Sequence, residues 1–134
     1  MTGIADTGFL VALMNRRDKH HAWAASLTPV ISGPLLTCES VLSETTFHLG
    51  DASFVFEMLR SRFIEIAFDC RDHLAELEQI ATQFADRQPD FADLCLIRMS
   101  ELHPHLPVLT IDRNDFRVYR RNRSEPIPVN CPPE

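Results

Sequence analysis

Apolar positions in this chain alternate between two rhythms. Short apolar runs at Ile4-Ala5, Leu35 to Cys38, Phe63 to Ile66 and Val108 to Ile111 have the size of buried strands, and polar or turn-forming residues close them. Between them the apolar residues recur at helical spacing. Gly8 to Met14 and His20 to Leu27 predict two helices, separated by the polar break Asn15 to Lys19 and ended by Thr28-Pro29. Glu39 to Leu49 carries a stripe of Val41, Leu42, Thr45 and Leu49 continued from Cys38, and Gly50 ends it. Asp51 to Ser61 is the next expected helix, with Phe54, Val55, Met58 and Leu59 apolar. A long helix is expected over Arg71 to Ala85, another over Phe91 to Leu102, and a short one over Asp115 to Tyr119. Ile127-Pro-Val129 fits an edge strand, where proline is tolerated, and Asn130 to Glu134 reads as a loose tail.

Strands alternating with helices predict a three-layer α/β/α fold around a central, mostly parallel sheet of four to five strands. Neither an internal repeat nor a linker divides it, so residues 1–129 form one domain, followed by the tail 130–134. In such a sheet ligands collect at the C-terminal strand ends. Asp6 follows the first strand and Asp112 the fourth. Asp93 lies in the first turn of a helix apolar nearly all round, and Glu44 on the flank of the Val41 stripe. The four carboxylates are expected to converge at one edge.

The 134 residues suffice for one real core, and a net charge of -6 argues against binding nucleic acid or anionic membrane by bulk charge. No apolar run approaches the roughly 20 residues of a membrane span, and the first residues lack the pattern of a secretion signal, so a cytoplasmic protein is expected. Cys38, Cys70, Cys95 and Cys131 form no Cys-x-x-Cys pair and read as reduced, mostly structural thiols.

The acids stand in a recognisable order. Asp6-Thr7 after the first strand, Asp18 with His20 to Ala24, Val41-Leu-Ser-Glu44, Asp86 to Asp93, and Leu109-Thr-Ile-Asp112-Arg-Asn-Asp-Phe116 together resemble the PIN-domain nucleases, and within them the VapC-type toxins of toxin-antitoxin pairs. The resemblance runs over nearly the whole chain. It implies a PIN-like fold and a Mg²⁺- or Mn²⁺-dependent endoribonuclease, with Asp6 and Asp93 as direct metal ligands and Asp112 and Glu44 as further ligands or holders of metal-bound water. It also implies a cognate antitoxin whose helix fills a groove near the first two helices, and a homodimer. The chain departs from the pattern in a short first strand, with Thr2 and Gly3 where branched residues are usual, and in Leu94, where a small residue is usual. Neither departure removes an acid.

The residues support a metal site independently. Two carboxylates about 4 Å apart repel by roughly 4 kcal/mol at an effective dielectric near 20, so clustered acids take up protons or hold cations. Oxygen donors without histidine or thiolate favour Mg²⁺ or Mn²⁺ over zinc, and such ions can activate water and stabilise the charge of a phosphodiester under in-line attack. Thr7 and Thr110 are the expected hydrogen-bonding supports. Taken singly, Asp6, Asp90 and Asp93 have an alternative reading as helix caps or first-turn acids, Glu44 as a solvated helix residue and Asp112 as a turn residue. Their joint order favours the shared site.

Arg113, Arg117, Arg120, Arg121 and Arg123 crowd beside Asp112, and Arg113 and Arg117 are candidates for RNA phosphate. A solvated helix face is the alternative. The paired histidines lack partners at metal-ligand spacing, and Trp23 reads as core or as groove lining. A receiver domain would need a lysine after its last strand, whereas Lys19 is the only lysine; a haloacid-dehalogenase-type phosphatase would need Asp-x-Asp where Asp6-Thr7-Gly8 stands. Gly3 and Gly8 form no nucleotide-binding fingerprint. The competing function is a catalytically silent PIN-like module that only binds a protein.

Overall fold

The computed structural model describes residues 1–134. Five short strands, β1 (Ile4–Ala5), β2 (Leu35–Thr37), β3 (Ile64–Ile66), β4 (Val108–Leu109) and β7 (Val129–Asn130), form one parallel sheet in the order β3-β2-β1-β4-β7. Ile4 stands opposite Leu36 on one side and Val108 on the other, and Ala5 pairs with Leu109. Being central, β1 has neither residue exposed to solvent, which explains how two apolar residues suffice for a strand.

The helices are α1 (Thr7–Met14), α2 (His21–Leu27), α3 (Glu39–Leu49), α4 (Ser53–Arg60), α5 (Leu74–Gln83), α6 (Phe91–Leu102) and α7 (Arg113–Val118). With the sheet they make the three-layer α/β/α architecture. The chain steps outward from β1 to β2 and β3, then returns across the sheet to place β4 on the other side of β1. With right-handed crossovers, helices before and after that reversal fall on opposite faces. The reversal makes the gap between the C-terminal ends of β1 and β4 the topological switch point, where open α/β sheets bind ligands.

Two helices bear most on that gap. Helix α6 buries Ala92, Leu94, Cys95, Leu96, Ile97 and Met99, as its nearly all-round apolar pattern predicts, while Phe91 stays half exposed. Helix α1 starts directly beyond β1 and packs on α2 and α3. Gly8 in its first turn lies against Ile111, and any Cβ there would stand 2.8 Å or less from the Ile111 side chain. The missing side chain lets α1 close on the segment that leaves β4. Gly50 ends α3 at φ 74°, in the left-handed conformation glycine adopts without a Cβ penalty.

Several elements differ from the pattern-based expectation. The helix expected over Arg71 to Ala85 begins as a 3-10 turn (Cys70–His73) and becomes regular only at Leu74. Asp69 accepts from the Arg71 amide, and His73 stacks on Phe68 while its Nδ1 accepts from Arg98 Nε at 3.1 Å, which holds the segment out of helical geometry. A hairpin of β5 (Arg120–Arg121) and β6 (Glu125–Pro126) has no counterpart in the sequence reading. Its turn places Asn122 and Arg123 at positive φ without a glycine, so the usual hairpin signal is missing. The edge strand falls at Val129–Asn130, and the tail is anchored rather than loose: Pro132 is buried, and its carbonyl accepts from Arg113 at 2.7 Å. Phe54 and Phe56 of α4 both remain substantially exposed, although Phe54 was expected on the packed face.

Candidate active site

Asp6 is the first residue beyond β1 and caps α1. Its Oδ1 accepts from the Thr7 amide at 2.7 Å and its Oδ2 from the Thr110 hydroxyl at 2.7 Å. The hydrogen bonds follow from the sheet register, because Thr110 is the residue after Leu109, which pairs with Ala5. The same Thr110 oxygen accepts from the Asp112 amide at 3.0 Å. One buried hydroxyl therefore joins the acids beyond β1 and β4. On the other side of Asp6, the Thr7 hydroxyl donates to Glu44 Oε2 at 3.1 Å, which ties the helical glutamate of α3 to the same edge.

Asp93 comes from the first turn of α6, where its amide donates to Asp90 Oδ1 at 2.8 Å. Its Oδ2 accepts from the Tyr119 hydroxyl at 2.9 Å, and Oδ1 has no hydrogen-bond partner. Asp112 caps α7, accepting from the Asp115 amide at 3.1 Å. Asp6 and Asp112 thus do cap helices, as does Asp90. Capping uses only part of a carboxylate's acceptor capacity and leaves lone pairs for a ligand.

The acids sense one another. Burial, reinforced by the charges of Asp112 and Asp90, pushes the Asp6 carboxyl up to about 6 despite its two hydrogen bonds. Burial, then the charge of Asp90, and then those of Asp6 and Asp112 push Asp93 up to about 8. Asp112 is also raised, chiefly by burial. No Lys, Arg or His forms an ion pair with Asp6, Glu44, Asp93 or Asp112. Carboxylates packed this way lack positive charge, and the hard oxygen set they offer suits Mg²⁺ or Mn²⁺. With the side chains as they stand, however, no three His, Cys, Asp or Glu groups are close enough to hold one ion. The fit to a metal is therefore one of donor chemistry and charge, and a shared ion requires at least one carboxylate to turn.

The predicted arginines divide. Arg121 is buried, donating to the Ser100 and Pro104 carbonyls and to Glu125, while Arg120 donates to the backbone carbonyls of residues 117–119. Both are structural. Arg113 and Arg117 flank Asp112 on α7, and both engage the Glu134 carboxylate, at 3.5 and 3.2 Å. Arg87 pairs with Asp115 at 2.9 Å and eases the charge on Asp112.

Sequence reasoning placed Tyr119 only at the end of a short helix, and it left Asp90 peripheral. No local signal links Tyr119 to Asp93 across 26 residues. The four cysteines are free, and Cys38, Cys70 and Cys95 line one small cavity of about 60 Å³. A concavity of about 720 Å³ lies elsewhere, between α5 and the β5–β6 hairpin. It is lined almost wholly by polar groups, with three glutamates (Glu76, Glu78 and Glu101) and three arginines (Arg98, Arg120 and Arg123) balancing one another. The chain matches no protein-family model, and no curated protein matches it in sequence.

Proposed function

We propose that this chain is a metal-dependent endoribonuclease of the PIN-domain kind, cutting RNA phosphodiester bonds at the crevice between β1 and β4. The observation that carries the reading is the group of acids at the switch point, Asp6 buried and Asp93, Asp112 and Glu44 partly so, none of them in an ion pair, with Asp6 raised to about 6 and Asp93 to about 8. Asp6 and Asp93 are the proposed direct ligands of Mg²⁺ or Mn²⁺, and Asp112 and Glu44 further ligands or holders of ordered water. When bound, the ion supplies charge stabilisation for the phosphodiester and activation of water. Thr7 and Thr110 fix the carboxylates by hydrogen bonds already in place. Arg113 and Arg117, beside Asp112, are placed to meet backbone phosphate once Glu134 yields them.

The resemblance to VapC-type toxins extends the proposal to an antitoxin partner and a homodimer. Phe47, Phe54 and Phe56 expose apolar surface on α3 and α4, which supports a protein contact there. Trp23 of α2, packed edge-on against Phe9 at 5.7 Å and only partly buried, supports one near the first two helices. No helix is long and apolar enough to cross a membrane.

The deciding experiment is cleavage of a mixed RNA substrate by the purified chain with Mg²⁺, Mn²⁺ or EDTA, beside folded Asp6→Asn and Asp93→Asn variants. Metal-dependent cutting lost in both variants establishes the site. Equal cutting by the variants rejects these residues, and the absence of both cutting and Mn²⁺ binding selects the protein-binding module instead.

A further inference from the structure

We propose that Tyr119 is a positioning residue for Asp93, its hydroxyl fixing the direction in which the free carboxylate oxygen faces the acid crevice. The proposal rests on the metal-site reading above and names a residue that reading does not contain. Tyr119 follows α7 directly, and only about 1% of it is exposed. Its ring is clamped by two others, edge-on to Phe84 at 5.4 Å and to Phe116 at 5.3 Å. Phenylalanine would serve such packing equally well, and a buried hydroxyl is unfavourable unless it is paired. This one is spent on Asp93 Oδ2, at 2.9 Å. Because Phe84, just beyond α5, and Phe116 of α7 hold the ring, the hydroxyl cannot follow the carboxylate, so the carboxylate must follow the hydroxyl.

The result is a tethered acid. Oδ2 is held by Tyr119, Oδ1 is left without a partner, and the backbone beneath is fixed by the Asp90 cap. A ligand oriented before the cation arrives loses less freedom on binding, which is how hydrogen-bonded supports strengthen metal sites.

The test is Mn²⁺ titration calorimetry on the full chain and on Tyr119→Phe, Asp93→Asn and the double variant, with thermal melting in EDTA to confirm folding. Tyr119→Phe is expected to fold and to bind Mn²⁺ about 10-fold or more weakly, while the double variant binds no more weakly than Asp93→Asn alone. In RNA cleavage, the same variant should need more Mn²⁺ and be rescued by excess, with the KM for RNA unchanged. Wild-type Mn²⁺ affinity in Tyr119→Phe overturns the proposal and leaves the metal site standing, as does an equal loss in the Asp93→Asn background. If the wild-type chain binds no Mn²⁺, both fall together.

Discussion

Thr110 Oγ1 donates to Asp6 Oδ2 at 2.7 Å and accepts from the Asp112 backbone amide at 3.0 Å, so a single hydroxyl links the Asp6 carboxylate to the backbone of Asp112 beyond two adjacent strands. Thr110 is completely buried, and water cannot replace it without rearrangement. Thr110→Val keeps the shape and removes both hydrogen bonds. It is expected to lower stability by about 1–3 kcal/mol, from the unpaired amide and carboxylate, and to weaken Mn²⁺ binding roughly 10–100-fold. Urea unfolding in EDTA and calorimetry read the two effects. Thr110→Ser, which keeps the hydroxyl, should recover most of both, and failure to do so would assign the loss to packing instead.

The acid group also sets a pH dependence of opposite sign to that of salt-bridged carboxylates. Burial and mutual charge raise Asp6 to about 6 and Asp93 to about 8 from the ordinary aspartate value of 3.8. Between pH about 4 and about 8 the folded chain therefore holds more protons than the unfolded chain, and stability falls as pH rises through that window. For Asp6 alone the fall is on the order of 3 kcal/mol, at about 1.4 kcal/mol per pKa unit. Melting temperatures in EDTA should decline from pH 5 to pH 8.5. Asp93→Asn should flatten the upper part of the decline and stabilise the metal-free protein at pH 8, and Mn²⁺ should do the same for the wild type. A melting temperature that rises with pH would contradict this account of the site.

The fold was legible because burial of short apolar runs and the 3.6-residue period act locally. β1 and the helix at Phe91–Leu102 appear where their patterns place them. Asp6, Asp93 and Asp112 were legible as candidates because each follows a strand or starts a helix, and Glu44 because it flanks the apolar stripe of its helix, positions that chain order reveals. What was hidden depends on distant partners. His73 leaves helical geometry because Phe68 and Arg98 hold it, the β5–β6 hairpin stands on Arg121 reaching back to Ser100 and Pro104, and Tyr119 reveals its role only across the gap to Asp93. The arginines show the same limit. Their clustering suggested one phosphate-binding surface, yet buried contacts remove Arg121 from it and hydrogen bonds to nearby backbone carbonyls occupy Arg120.

Gly8 offers a test of how tightly the crevice is set. A methyl group there would collide with Ile111, the residue immediately before Asp112. Gly8→Ala is expected to cost about 1–3 kcal/mol by overpacking, offset by at most about 1 kcal/mol from better helix propensity, and to displace the Asp112 segment. Ile111→Ala in the same chain should relieve the clash and restore Mn²⁺ affinity. If Gly8→Ala alone is as stable and binds Mn²⁺ as well as wild type, α1 and the β4 exit are not held at contact distance.

Glu134 bridges Arg113 and Arg117, at 3.5 and 3.2 Å, and so competes for the two cations proposed to meet phosphate. Its carboxylate is largely exposed, so the pairing is worth under about 1 kcal/mol and weakens with salt. Neutralising it should free Arg117 and leave Arg113 held by the Pro132 carbonyl alone, so both charges beside Asp112 go unopposed by a carboxylate. Glu134→Gln is therefore expected to raise single-stranded RNA affinity a few-fold in about 50 mM salt and to have little effect in about 500 mM salt, measured by fluorescence anisotropy on the Asp6→Asn background to prevent cutting. Arg117→Ala should weaken binding across all sequences and reduce the slope of log affinity against log salt by about 0.7, the value for one phosphate contact on a single strand. The Glu134→Gln gain should vanish once both Arg113 and Arg117 are changed to Ala. If it persists there, Glu134 acts through general charge rather than by occupying this pair.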